Sequence, residues 1–275
     1  MNTILALTDF SPAADKAVQT GIYLAKQHKA NLHILHSMPE DSSVYIHLSS
    51  DNTNSHVAEG TGSQLHTYTD KWQAEAAKSG VHVSIVISSG DVVNATKRLL
   101  ADQAMDIVIV GSTGSGNSEG IWGTTTQQIV KQLPSPVLVV KEQVLTNDFS
   151  TIVFASDLDP EDQVALKGSL SLLAPPADAS IHLVSVNTSS YFTQPRALMT
   201  QLLADFKQLA APYKATTSFY RDYSVTAGIN HYVEETAADL LIMSCRKRSP
   251  IKDLFVPDPA VTAVGSVPCP ILIMK

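Results

Sequence analysis

The sequence predicts an α/β protein built as two successive domains, each a parallel sheet with helices packed on both faces. Three observations carry that prediction: the chain repeats itself, its strand-like segments are continuous apolar runs, and both copies open their first helix on the same signal. The repetition is direct. Thr8-Asp9-Phe10-Ser11-Pro12 matches Ser156-Asp157-Leu158-Asp159-Pro160 at an offset of 148, and Asp106-Ile-Val-Ile-Val-Gly111 matches Asp239-Leu-Leu-Ile-Met-Ser244 at 133. Leu133–Lys141 (LPSPVLVVK) matches Val267–Lys275 (VPCPILIMK) at 134. Self-similarity of this kind marks one structural unit laid down twice. Runs such as Ile107–Val110 and Val137–Val140 suit strands buried on both faces, as in parallel sheets. Ser11-Pro12 and Asp159-Pro160 each offer an N-cap oxygen followed by proline at the first helical position. The domains expected are 1–145 and 146–275.

The elements follow in order. The first copy reads as strand 3–8, helix 12–28, strand 31–37, helix 64–78, strand 81–87, helix 92–103, strand 106–110, helix 124–132 and strand 136–140. The second reads as strands near 151–155, 180–186, 216–220, 239–244 and 270–274, with helices between. Strands alternating with helices of this length imply right-handed crossovers and a parallel sheet. The fall in offset from 148 to 133 leaves about fifteen extra residues in the first copy. They fall in 39–63, a polar Ser- and Asn-rich stretch without a sustained period that reads as a long loop. The second copy has only a short connection there, Asn187 to Gln194.

Hydrophobic residues at 44% and charged ones at 16% of 275 residues fit a chain with a real core and exclude a disordered one. A net charge of −7 argues against a nucleic-acid partner, which needs a basic surface. No segment has the roughly 18 consecutive apolar residues of a membrane span, and Asp9 interrupts the first apolar run, so the expected location is the cytoplasm. Cys245 and Cys269 lack any CxxC spacing and read as buried reduced thiols.

In an open parallel sheet a ligand binds at the carboxyl ends of the strands, where the strand order reverses. Two loops stand there in the first copy. Asp9 follows strand one directly, as a helix-cap carboxylate or as an acceptor for a nucleoside or a metal-bound water. Residues 111–125 carry glycine at 111, 114, 116, 120 and 123, then Thr124 and Thr125 opening a helix. Glycines allow close backbone approach to phosphate oxygens, and a helix N-terminus supplies N–H groups and a positive dipole end. The same stretch also reads as a Gly/Ser surface loop with a threonine cap. Neither GxxxxGK[ST] nor GxGxxG is present.

The Thr-Asp-Phe-Ser after strand one, the Gly-x-x-Gly loop after strand four and the closing Pro-Val-Leu-Val-Val strand resemble the universal stress protein family, twice over and across nearly the whole chain. That resemblance implies two tandem Rossmann-like (adenine nucleotide alpha hydrolase-like) domains, each with a five-stranded parallel sheet of order 3-2-1-4-5. It implies an ATP-binding stress-response protein, with Mg²⁺ on the phosphates. Gly111, Gly114, Gly123, Thr124 and Thr125 would hold the phosphates, Asp9 would face the nucleoside, and Leu7 and Thr8 would line the pocket. Family members bind ATP through Gly-x2-Gly-x9-Gly-[Ser/Thr]; here eight residues separate Gly114 from Gly123. In the second copy Ser244, Lys247 and Pro257 stand where the first has Gly111, Gly114 and Gly123, and Asp258 before Pro259 reads as an N-cap. One nucleotide is therefore expected per chain. Family subunits commonly pair through their last strands, which implies an internal pseudo-dimer through Pro136–Lys141 and Pro270–Lys275, with a homodimer of chains as an open alternative.

Other constellations are weaker. His33 and His36 lie three apart on a strand and so face opposite ways, giving no metal set. His47, His56 and His66 decorate the insertion. No GxSxG elbow occurs. Trp122 reads as an anchor for the glycine loop, and Arg246-Lys247-Arg248 as a solvated basic run. Two further functions stay open: a nucleotide-free scaffold, and a slow hydrolase of a nucleotide.

Overall fold

The computed structural model describes residues 1–38, 46–49, 62–112, 124–142, 148–188, 196–245 and 267–275. These form two compact units, one within Met1–Glu142 and one within Asp148–Lys275. The junction expected at 145/146 lies outside the described residues.

The first unit runs β1 (Thr3–Thr8), α1 (Pro12–His28), β2 (Asn31–Met38), β3 (Ile46–Ser49), α2 (Gly62–Lys78), β4 (Val83–Ser89), α3 (Val92–Asp102), β5 (Ile107–Ser112), α4 (Thr124–Gln132) and β6 (Val137–Lys141). Pairing places them in the order β3-β4-β2-β1-β5-β6, with every pair parallel except β3 on β4. All six residues of the central strand β1 are buried, as a strand covered on both faces requires, and so are all five of β6 at the end of the order.

β3 corrects the reading of 39–63 as a loop. Its four residues run antiparallel along β4, with Ile46 opposite Ile87 and Ser49 opposite Ser84. The first sheet therefore has six described strands, five of them parallel. The physical reason is length: Ile46-His47-Leu48-Ser49 alternates apolar and polar residues over only four positions inside a long polar stretch, too short a run to stand out, and its main-chain hydrogen bonds go to an edge that exists only in the folded sheet.

The second unit runs β7 (Thr151–Ala155), α5 (Pro160–Leu173), β8 (Ser180–Thr188), α6 (Arg196–Leu209), β9 (Lys214–Asp222), α7 (Val225–Glu235), β10 (Leu240–Ser244) and β11 (Ile271–Met274). Its strands are all parallel, in the order β9-β8-β7-β10-β11. β8 extends to Thr188, further than expected, and residues 189–195 of the connection lie outside the described residues.

Helix starts differ between the units. Ser11 Oγ accepts the Ala14 N–H at 3.3 Å, a side-chain cap on α1. Asp159 stands at the N-cap of α5 but its side chain makes no cap hydrogen bond, against expectation. Its main-chain carbonyl takes the Asp162 N–H at 3.0 Å. Of the cysteines, Cys269 is buried while Cys245 is only partly so, and the two form no disulfide.

The repeated aspartate before the fourth parallel strand is a staple. Asp106 Oδ2 accepts the N–H groups of Asn2 and Thr3, and Asp239 Oδ2 those of Ser150 and Thr151. Each ties the start of the unit's first strand to its neighbour. Burial pushes the Asp106 carboxyl up, but the two N–H groups, the amino terminus and His28 together hold it below the usual range. For Asp239 burial prevails and the carboxyl sits above it, with Oδ1 buried and without a hydrogen-bond partner among the described residues. The signs therefore oppose. Asp106 contributes stability present above the unfolded carboxylate pKa and lost as pH falls through its depressed value. Asp239 contributes stability present below the unfolded value and lost as pH rises through its raised one. Asp106→Asn is expected to cost stability at pH 7, with the cost shrinking toward pH 3. Asp239→Asn should cost less at pH 7. Urea unfolding across that range checks both.

Candidate functional site

The carboxyl ends of β1 and β5 meet in the first unit. Ala6 lies opposite Ile109, and the same register carried forward puts Thr8 beside Gly111. On either side of that pair the chain leaves the sheet in opposite directions, to β2 and to β6, which makes it the switch point of the strand order.

At the end of β1 the backbone turns sharply. Phe10 is left-handed at φ 66°, and Leu158 repeats this at φ 68° in the second unit. A hydroxyl two residues earlier holds each turn. Thr8 Oγ1 accepts the Phe10 N–H at 3.1 Å, and Ser156 Oγ accepts the Leu158 N–H at 2.7 Å. A non-glycine residue pays of order 1 kcal/mol in this region, and the local hydrogen bond offsets it.

The expected site residues fall out as follows. Leu7 is 3% exposed and its side chain belongs to the core. Thr8 is buried and holds the turn. Asp9 is exposed, and its Oδ1 accepts the Ser11 N–H at 2.9 Å, so the carboxylate at the carboxyl end of β1 braces the cap of α1. Gly111, next to last in β5, lies under the first turn of α1. A Cβ there would lie 2.4 Å from the Ala13 carbonyl carbon and oxygen and 2.6 Å from the Ala14 nitrogen. Its missing side chain thus makes room for a helix backbone. Thr124 opens α4, and Thr125 is exposed in its first turn. Gly114, Gly123 and Trp122 lie outside the described residues, as do Lys247, Pro257, Asp258 and the basic run 246–248.

Three features escaped sequence reasoning. Thr126, buried, donates its hydroxyl to the Gly111 carbonyl at 3.4 Å and so ties α4 to β5; the run of three threonines was the readable signal. His36 sits opposite Thr8 and donates Nδ1–H to its carbonyl at 2.9 Å. Burial lowers the imidazole pKa against the opposing pull of that carbonyl and of Asp9, leaving the ring neutral. The Phe10 ring lies 4.3 Å from His36 and stacks on Tyr68 at 4.9 Å. Behind them Trp72 is fully buried, with Nε1–H on Asp15 at 2.9 Å.

The second unit fills the same place differently. Asp162 stands where α1 has Ala14, and Ser244 where β5 has Gly111. The Asp162 carboxylate, 1% exposed, accepts the Ser156 hydroxyl on Oδ2 at 2.6 Å and the Ser244 hydroxyl on Oδ1. A buried carboxylate therefore clamps the ends of β7 and β10 together across the switch point. Three coordinated changes between the copies, Thr8/Ser156, Ala14/Asp162 and Gly111/Ser244, were the signal for it.

Among the described residues no cluster of three or more His, Cys, Asp or Glu is placed to hold a metal ion, and no helix is long and apolar enough to cross a membrane.

Fold and site together define a duplicated, doubly wound α/β protein whose two switch points have diverged. The family model of the universal stress protein family matches residues 1–141 and again 148–275. Universal stress protein YxiE of Bacillus subtilis is 26% identical over 51% of this chain and 99% of its own length. Universal stress protein G of Shigella flexneri is 24% identical over 46% of this chain and 89% of its own. A universal stress protein from Archaeoglobus fulgidus superposes over 100% of this chain and 98% of its own with a TM-score of 0.69 at 15% identity. A putative universal stress protein from Pseudomonas aeruginosa does so over 100% and 93%, with a TM-score of 0.62 at 13% identity. At these identities the superpositions speak for the fold. The chain belongs to the universal stress protein family and carries its domain twice.

Proposed function

We propose that this is a stress-response protein that binds one ATP, with Mg²⁺ on its phosphates, at the switch point of the first unit. The observation that carries the reading is the start of α4. It opens on Thr124 directly after the glycine-rich stretch, and Thr126 ties it to β5 beside the end of β1. N–H groups of a first helical turn lack intrahelical acceptors and favour an anion. The exposed Thr125 hydroxyl adds a donor, and the exposed Asp9 carboxylate suits a ribose hydroxyl or a metal-bound water. In this reading Gly114, Gly123, Thr124 and Thr125 face the phosphates, while Gly111 shapes the site by admitting α1. The Asp162 clamp supports silence of the second unit, since a buried carboxylate repels a triphosphate where water is excluded.

Calorimetric titration of the whole chain with MgATP is expected to give one site, and Gly114→Val to abolish it without altering the unfolding curve. Two equivalent sites, or undiminished binding by Gly114→Val, would overturn the proposal. A nucleotide-free scaffold is the second reading, favoured by the packing of Gly111 against α1, which accounts for one family glycine without any ligand. Chromatography of the supernatant from freshly purified, denatured protein separates the two: retained nucleotide supports the first.

A further inference from the structure

The outer strand of the two sheets is treated unlike in the two units. β4 is buried over six of its seven residues and carries β3 along its outer edge. β9 holds the same place in the parallel order of the second unit and, among the described residues, pairs only with β8. It is nine residues long, and Lys214, Thr216, Thr217 and Arg221 are exposed. Its centre, Thr216–Tyr220, is uncharged and made of β-branched and aromatic residues around Ser218, a composition suited to further pairing.

We infer that β9 is an interface between two copies of this chain, pairing antiparallel with β9 of the second copy about an axis through Ser218. Charge selects the occupant and the register. A dyad at Ser218 sets Lys214 of each chain opposite Asp222 of the other, with Thr216 opposite Tyr220 and Thr217 opposite Phe219. Opposite charges and β-branched/aromatic pairs across an antiparallel ladder are stabilising. Sliding by one residue one way sets Lys214 opposite Arg221, which is repulsive, and the other way sets Lys214 opposite Tyr223, which loses both opposite-charge pairs. Asp222 is fixed in orientation by its own chain, its Oδ2 on His231 Nδ1 at 2.7 Å and its Oδ1 accepting the Tyr223 N–H at 2.7 Å, and Lys214 of the second copy would add to those contacts. The first unit supplies the precedent on this same edge, where β3 lies antiparallel on β4. A single nine-residue ladder buries less than the ~1,600 Å² of a standard interface, so the association is weak and concentration-dependent. It is independent of the nucleotide reading.

Sedimentation equilibrium of the full chain, loaded up to about 500 μM because of that small interface, tests it with two variants. Lys214→Glu and Asp222→Lys, each alone, are expected to raise the dimer dissociation constant tenfold or more. Their equimolar mixture should restore it to within about threefold of the unaltered chain, because the mixed dimer regains both opposite-charge pairs. A nitroxide on Thr217→Cys, placed in a Cys245→Ser/Cys269→Ser background so that no native thiol takes the label, gives a second readout that needs no change at Asp222. Strand spacing and rise place the two labelled Cα atoms about 8 Å apart, so strong dipolar broadening is expected. A monomeric unaltered chain, a dimer indifferent to Lys214→Glu, a mixture no better than its components when both variants fold, or absence of broadening would each overturn the inference. A partner of another kind on this edge would show itself as one of those results.

Discussion

Gly111→Ala is expected to destabilise the first unit by about 3 kcal/mol, at the upper end of overpacking changes. One methyl group has this effect because of what it meets. The added Cβ would lie 2.4 Å from the Ala13 carbonyl carbon and oxygen and 2.6 Å from the Ala14 nitrogen. Those are main-chain atoms in the first turn of a helix packed on β1 and β5, so no rotamer change relieves the overlap. Either α1 moves off the sheet or β5 shifts against β1. For a unit of this size the thermal midpoint should fall by on the order of 10 °C. Fluorescence of Trp72, fully buried in the first unit, follows the transition in a Trp122→Phe background. The second unit has no tryptophan to interfere. The comparison with Gly114→Val is informative. If Gly111 served only a phosphate, its alanine variant would lose nucleotide and keep its unfolding curve. The close approach of α1 predicts the reverse order of effects: stability lost in ligand-free protein, whatever happens to binding.

Asp162→Ala is expected to cost the second unit about 2–4 kcal/mol, since it leaves two hydroxyls at the end of the sheet without their charged acceptor. Ser156 donates at 2.6 Å and Ser244 donates to the other oxygen, and the carboxylate between them is 1% exposed. The effect should be strongly coupled to Ser244. Ser244→Gly alone removes one donor and adds backbone freedom. The double variant Asp162→Ala/Ser244→Gly rebuilds the Ala14/Gly111 pair of the first unit and leaves only Ser156 short of its partner. Its cost should fall below the sum of the single costs by about 1 kcal/mol or more. Hydrogen-exchange protection of β7 and β10 amides reads this locally. Strict additivity would mean that the three side chains do not act as a clamp. If the clamp also silences the second unit toward nucleotide, the double variant is the one in which a second, weaker site should be sought.

The recurring parts were the legible ones. Duplication, strand type and helix starts are written in short windows of sequence: Ile107–Val110 is buried throughout, and Pro12 and Pro160 open α1 and α5, although only Ser11 of the two N-cap residues makes the side-chain cap bond. The placing of Asp9 and Gly111 side by side was legible too, because strand-to-helix loops must lie at the carboxyl ends of a parallel sheet. The four residues of β3 were not, since their contribution is main-chain hydrogen bonding to an edge set by residues far along the chain.

By itself, then, the sequence determined that the chain is one domain twice, with an insertion at 39–63 in the first copy and no glycine left in the second copy's loop after the fourth parallel strand. Only the tertiary structure decided why Gly111 must be glycine and why Asp162 is where it is. The first answer is a helix backbone nearly a hundred residues earlier in the chain. The second is a serine at 244. Spacing along a chain encodes local conformation, whereas the distance between Ala13 and Gly111, or between Asp162 and Ser244, exists only once the strands are paired in register.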